Sequence, residues 1–139
     1  MTKVKNILIP FFLFIVFDTI WLGYVTKDIY ISELASIARL KDGNVDVVYW
    51  AAVLVYLFLA VGISFFVLDH KKFESTPLNV FLRGGLFGLL TYGLYDMTNV
   101  ATLKDFTVKI AFIDMAWGSF ACATVSLLTY LILRRQLKA

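Results

Sequence analysis

The sequence predicts an all-α integral membrane protein, a four-helix bundle with both termini in the cytoplasm and a short surface helix in its first outer loop. Three observations predict it. Of 139 residues, 60% are hydrophobic and 17% charged, a balance too apolar for an ordinary soluble domain of this length. Four apolar stretches, about 7–25, 47–68, 78–100 and 110–133, each approach the ~20 residues that carry a helix across the hydrocarbon core. The cations divide unevenly between the two sides: Lys3, Lys5, Lys71, Lys72, Arg83, Arg134, Arg135 and Lys138 face Lys27, Arg39, Lys41, Lys104 and Lys109, eight against five, which favours cytoplasmic termini. A soluble helical bundle would need polar faces, which the second and fourth stretches lack. The whole chain, 1–139, therefore reads as one transmembrane domain.

The first stretch follows Lys3 and Lys5 and is expected to remain as an anchor. It is longer than a signal-peptide core, carries Asp18, and lacks a clear Ala-x-Ala cleavage site. Pro10 suits the first turn of its helix, where a missing N–H costs nothing. At helical spacing Phe11, Phe14, Asp18 and Trp21 share one stripe. In the outer loop that follows, 26–45, Tyr30, Leu34 and Ile37 lie on one face and Glu33, Ser36 and Lys41 on another. That pattern predicts a short helix on the membrane surface, ended by a turn at Gly43 and Asn44.

Tyr49 and Trp50 open the second stretch as interfacial anchors. It has no charge before Asp69 and reads as mainly lipid-facing scaffold. The inner loop, 70–79, holds the single histidine, His70, beside Lys71 and Lys72, where solvation accounts for it. Arg83 opens the third stretch and can extend to the inner interface. Gly84 and Gly88 follow at the spacing that lets two helices approach closely, and Gly118, Cys122 and Ser126 make a second such stripe in the fourth stretch. These two segments are expected to form a tight hairpin through a short loop near 103–107. Cys122 is the only cysteine, so no internal disulfide exists.

Three carboxylates distinguish the outer half. With the N-terminus inside, Asp18 and Asp96 fall late in their helices and Asp114 early in its own, each ~8–11 Å below the outer helix ends at ~1.5 Å per residue. An ionisable group in a membrane is costly and usually faces a partner inside the protein. Trp21, Trp117 and Asn99 each stand three residues beyond an aspartate as donors, and Tyr92 and Tyr95 add aromatic lining. Because the first and fourth helices run oppositely, the expected pairing is crossed, Asp18 with Trp117 and Asp114 with Trp21. The aspartates then either hold the bundle together by hydrogen bonds or form a site in which clustered like charges retain an exchangeable proton. Hard cations suit clustered carboxylates, but no His or Cys ligand spacing occurs, and neither a metal nor a cofactor is expected. Nucleic acid is excluded as a partner because the basic residues are dispersed among loops. The lipid bilayer is the expected partner.

The runs Phe17–Gly23 (Phe-Asp-x-x-Trp-Leu-Gly), Gly93–Leu103 (Gly-Leu-Tyr-Asp-Met-Thr-Asn-x-Ala-x-Leu) and Ile113–Gly118 (Ile-Asp-Met-Ala-Trp-Gly) resemble a bacterial family of small four-span membrane proteins catalogued as a domain of unknown function. The resemblance covers essentially the whole chain. It implies a multi-pass protein of the bacterial inner, or cytoplasmic, membrane and transfers no catalytic or binding residue. The residues leave three functions open. One is proton-linked binding or transport of a cation or small amphipathic solute, which with four spans calls for a homodimer or larger assembly. The second is a structural or assembly subunit. The third is an intramembrane aspartyl-type hydrolase using Asp96 and Asp114 as a dyad, so whether the protein is an enzyme stays undecided.

Overall fold

The computed structural model describes residues 2–68 and 76–136. Asp69, His70, Lys71 and Lys72 of the inner loop, and Lys138, lie outside them. The chain is mostly helical. Helix α1 (Thr2–Ile20) continues into a π-helical turn (Trp21–Val25), followed by α2 (Lys27–Leu34). A small antiparallel hairpin, β1 (Leu40–Lys41) and β2 (Asn44–Val45), leads to α3 (Tyr49–Gly62), which also ends in a π-helical turn (Ile63–Val67). Two long helices complete the chain, α4 (Pro77–Thr102) and α5 (Val108–Gln136).

Among the described residues, three helical runs are long and apolar enough to cross a membrane: Val4–Val25, Tyr49–Val67 and Val108–Arg135. Helix α4 spans 26 residues, ample length for a crossing. Its glycines, Arg83, Asp96 and Asn99 hold its hydropathy below that of the other three. The outward faces suit lipid: Phe12, Phe58, Leu90 and Leu94 are all exposed, an apolar surface that water would not tolerate. Tyr24, Tyr49 and Trp50 are exposed at one end of α1 and α3, where an aromatic girdle belongs.

Pro10 lies in the interior of α1, not in its first turn, because the helix begins at Thr2. Its missing N–H deprives the Asn6 carbonyl of a helical partner. The polar residues before Pro10 belong to the helix even though they precede the apolar run. Helix α4 begins as its sequence dictates: Thr76 Oγ1 accepts from the Asn79 N–H at 3.2 Å, and Pro77 follows at the first helical position. The hairpin turn falls on Asp42 and Gly43, both at positive φ, with Asn44 Nδ2 donating to the Asp42 carbonyl at 3.1 Å.

Helices α4 and α5 pack along a seam of small residues. A Cβ on Gly84 would stand 2.6 Å from Ser126 Oγ and 2.7 Å from the Cys122 carbonyl, and one on Gly88 2.7 Å from Cys122 Cβ. Gly118 takes the Tyr92 ring against its backbone. Ser119 Oγ donates across the seam to the Gly85 carbonyl at 3.0 Å. Backbones this close exchange many weak dispersion contacts, the main cohesive force between helices in lipid. Helix α1 packs on α3 and α5 through larger side chains, with Phe14, Leu59, Ile63, Val67 and Val125 in the main core. A second, smaller cluster of Phe106, Ile110 and Ala111 closes the end where α4 meets α5.

Candidate functional site

All three aspartates lie toward the end of the protein that carries α2: Asp18 just before the end of α1, Asp96 six residues before the end of α4, and Asp114 six residues after the start of α5. Their environments differ. Asp18 is buried and accepts a hydrogen bond from Trp117 Nε1 at 2.8 Å. The Tyr56 hydroxyl of α3 faces the same carboxylate. The Trp117 indole is itself fixed by stacking on Trp21, with ring centroids 4.3 Å apart and planes 2° from parallel, and by Phe17 at 6.4 Å.

Asp114 accepts from the Tyr30 hydroxyl of α2. The carboxyl of Asp96 faces that of Asp114 from the adjacent helix. Asp96 has no solvent exposure, and among the described residues no N–H or hydroxyl donates to either of its oxygens; its hydrogen-bonding neighbour is the Asp114 carboxyl. A carboxylate buried in that condition carries a large desolvation cost unless it shares a proton with its neighbour. Trp21 Nε1 is likewise buried, with the Tyr30 hydroxyl as its hydrogen-bonding neighbour.

The crossed pairing expected from helix direction is therefore half present. Asp18 meets Trp117, whereas Asp114 meets Tyr30 in place of Trp21. The π-helical turn at Trp21–Val25 helps explain this: its wider backbone spacing, with the Thr26 N–H and hydroxyl both donating to the Trp21 carbonyl at 2.9 Å, turns the end of α1. Trp21 consequently lies flat on Trp117.

Tyr92 and Asn99 share the face of Asp96, four residues before it and three after. Tyr92 is largely enclosed, within electrostatic reach of Asp18 and Asp114, and Asn99 is half-buried in the last turn. Tyr95, one residue before Asp96, points away from the site. It is 60% exposed, with its ring edge-on to Phe106 at 6.4 Å and 88°. A step of one residue turns a helix by about 100°, so sequence adjacency to Asp96 carries Tyr95 off the inward face.

Two tyrosines belong to the site that helix patterning alone did not assign to it. Tyr56 is the one tyrosine in the middle of the apolar α3, and that isolation is a usable signal. Tyr30 comes from the connecting helix, whose apolar face turns toward protein rather than lipid: Tyr30 and Leu34 pack on Phe106, Ile110 and Ala111, while Ile37 is exposed. Glu33 anchors the same helix, its Oε2 accepting from Thr107 Oγ1 at 2.8 Å and its Oε1 paired with Lys109 Nζ at 2.7 Å. Those bonds, Lys109 first, hold the Glu33 carboxyl below its ordinary range. Burial and then the neighbouring Asp114 push the Tyr30 phenol well above its ordinary range, so its hydroxyl keeps its proton.

Among the described residues no group of three or more His, Cys, Asp or Glu side chains is arranged to hold a metal ion. The chemistry left to the arrangement is that of two facing carboxyls, one donated to and one not, beneath a tyrosine from a separate helix. The family described as "Predicted membrane protein (DUF2177)" matches residues 3–131. No curated protein and no solved structure matches the chain.

Proposed function

We propose, from the premise that this chain belongs to the DUF2177 family of predicted membrane proteins, that it binds or transports a cation or small amphipathic solute in exchange for a proton held between Asp96 and Asp114. In this reading all four long helices, α4 included, cross a bacterial inner membrane, with both termini in the cytoplasm. The unequal division of Lys and Arg between the two sides supports that orientation. The single observation carrying the functional reading is Asp96 itself, fully buried with no N–H or hydroxyl donor at either oxygen and a second carboxyl as its hydrogen-bonding neighbour. Two facing carboxylates repel, and a shared proton or an arriving cation relieves that repulsion. Tyr92, Trp21 and Trp117 supply aromatic surface that would favour an organic cation. Asp18, already answered by Trp117, is assigned a structural part.

The test is binding of tetraphenylphosphonium to the protein in lipid nanodiscs across a range of pH, with proton release followed in weakly buffered solution. Wild type is expected to bind more tightly as pH rises and to release protons on binding. Asp96→Asn is expected to lose both the pH dependence and the release. Wild type that binds no cation at any pH, or Asp96→Asn that behaves as wild type, overturns the proposal.

One observation favours a second reading. Asp96 and Asp114 face each other from neighbouring helices, as the two acids of an aspartyl hydrolase must in order to share a proton and activate water. Cleavage of a hydrophobic peptide in detergent, abolished by Asn at either position, would favour this reading.

A further inference from the structure

We infer that Tyr30 is the gate of the Asp96–Asp114 pair: by donating to Asp114 from α2, it closes the approach to both carboxyls from that end of the protein, and Glu33 latches the helix that carries it. The inference rests on the proposed role of the pair and adds the element that regulates access to it.

Helix α2 has only eight residues and buries none of them fully. A helix so short is marginal by itself and stays in place through its contacts. These are few and specific. Tyr30 donates to Asp114, 84 residues away in the chain. Glu33 takes Thr107 and Lys109 at the start of α5. Tyr30 and Leu34 cover the Phe106 cluster. On one side the chain leaves through the π-helical turn that ends at Thr26, and on the other through a two-stranded hairpin whose residues are all exposed. A small unit with few contacts, hinged on the buried and doubly bonded Thr26 and free on its exposed hairpin side, opens more readily than the helices beneath it.

The tyrosine has the chemistry for a gate. Its phenol remains a neutral donor, and its ring lies within electrostatic reach of Asp96 as well as Asp114. Bonding Asp114 satisfies one of the two carboxyls while the gate is closed. Asp114 is only half-buried with α2 in place, whereas Asp96 is fully buried. Lifting α2 would therefore free the one and uncover the other, and an arriving donor or cation would replace the Tyr30 hydroxyl at Asp114 and meet Asp96 beside it.

Access is read by labelling the protein in proteoliposomes with a water-soluble carbodiimide and glycine ethyl ester. The carbodiimide activates a carboxyl, the amine displaces it to form an amide, and the carbodiimide leaves as the urea, having taken up the elements of water. Mass spectrometry of peptides bearing Asp18, Asp96 and Asp114 gives each rate separately. Tyr30→Phe and Glu33→Gln are each expected to raise labelling at Asp96 and Asp114 by about fivefold, the factor that one net hydrogen bond represents. Labelling at Asp18 is expected to stay at the wild-type rate. If Tyr30→Phe lowers the melting temperature, the Glu33→Gln result decides, since it alters an ion pair at the protein surface. Unchanged labelling in both variants overturns the gate, and so does a parallel rise at all three aspartates, which would mark general loosening. Tetraphenylphosphonium binding measured on the same samples separates the two claims. Selective labelling without cation binding would leave the gate standing and remove the proposed function; Asp96-dependent binding with unchanged labelling would do the reverse.

Discussion

Asp18 and Asp96 are the same side chain near the same end of two helices that both pack on α5, and both are removed from solvent, yet one is answered by an N–H donor and the other is not. Asp18 accepts from Trp117 at 2.8 Å with Tyr56 alongside, while Asp96 has no N–H or hydroxyl donor at either oxygen and faces only another carboxyl. Burial of an aspartate in a membrane protein is thus no single kind of evidence. Where donors surround it, the group ties helices together. Where they are missing, the fold bears a cost that packing does not return.

Breaking the answered side should have the largest effect. Asp18→Leu leaves the Trp117 N–H without its acceptor, and a loss of about 1–3 kcal/mol is expected for a buried donor stranded in this way. Reversible unfolding in mixed micelles measures it, and a loss below a few tenths would remove the distinction between the two sites. Trp117→Phe keeps a ring against Trp21 but deletes the N–H, leaving Tyr56 as a donor to Asp18, so it should cost about 1 kcal/mol through the hydrogen bond together with part of the stack. Asp96→Asn should cost less than about 0.5 kcal/mol and is expected to stabilise if Asp96 is ionised in wild type, because it deletes a charge that no donor compensates. Thermal melts of wild type and Asp96→Asn at several pH values check this, and a collapse of Asp96→Asn would place Asp96 with Asp18 as a structural group.

The smallest effect should come from acid at the α2 latch. Glu33 is held below its ordinary value of 4.5 by Lys109 and Thr107. A carboxyl lowered on folding contributes stability above its unfolded value, and the contribution disappears as pH falls through the lowered folded value. Amide exchange in α2 should therefore be slow relative to Glu33→Gln above about pH 5 and converge with it as acid protonates Glu33. The pair is largely solvated, Lys109 being 63% exposed, so the change should be confined to α2 and leave the melting temperature almost unmoved.

Much of this was legible in the sequence because it depends on position along a helix. Residue spacing alone placed the three aspartates near one end, brought Asp18 to Trp117, and set Gly84 and Gly88 on one stripe against that of Cys122 and Ser126. Hydropathy marked where the helices run, although it did not reveal that α1 begins well before Pro10. What spacing cannot supply is the neighbour across the gap. Tyr30 and Leu34 make an apolar face that lipid or protein could equally cover, and only the folded chain turns it onto Phe106 and Asp114. The missing Trp21–Asp114 contact has a similar origin, in a π-helical turn for which hydrophobic pattern gives no sign. Tyr95 shows the opposite error, in which closeness along the chain suggested closeness in space.

The Trp21–Trp117 stack has a consequence for how this protein can be watched. Two parallel indoles with centroids 4.3 Å apart couple their electronic transitions, so the pair should imprint a couplet on the near-ultraviolet circular dichroism. One ring belongs to the end of α1 and the other to α5, beside Asp18. Any movement that parts these helices would weaken the couplet without an added label, whereas movement confined to α2 would leave it intact. The molecule carries its own optical gauge for telling a shifting bundle from a lifting cover.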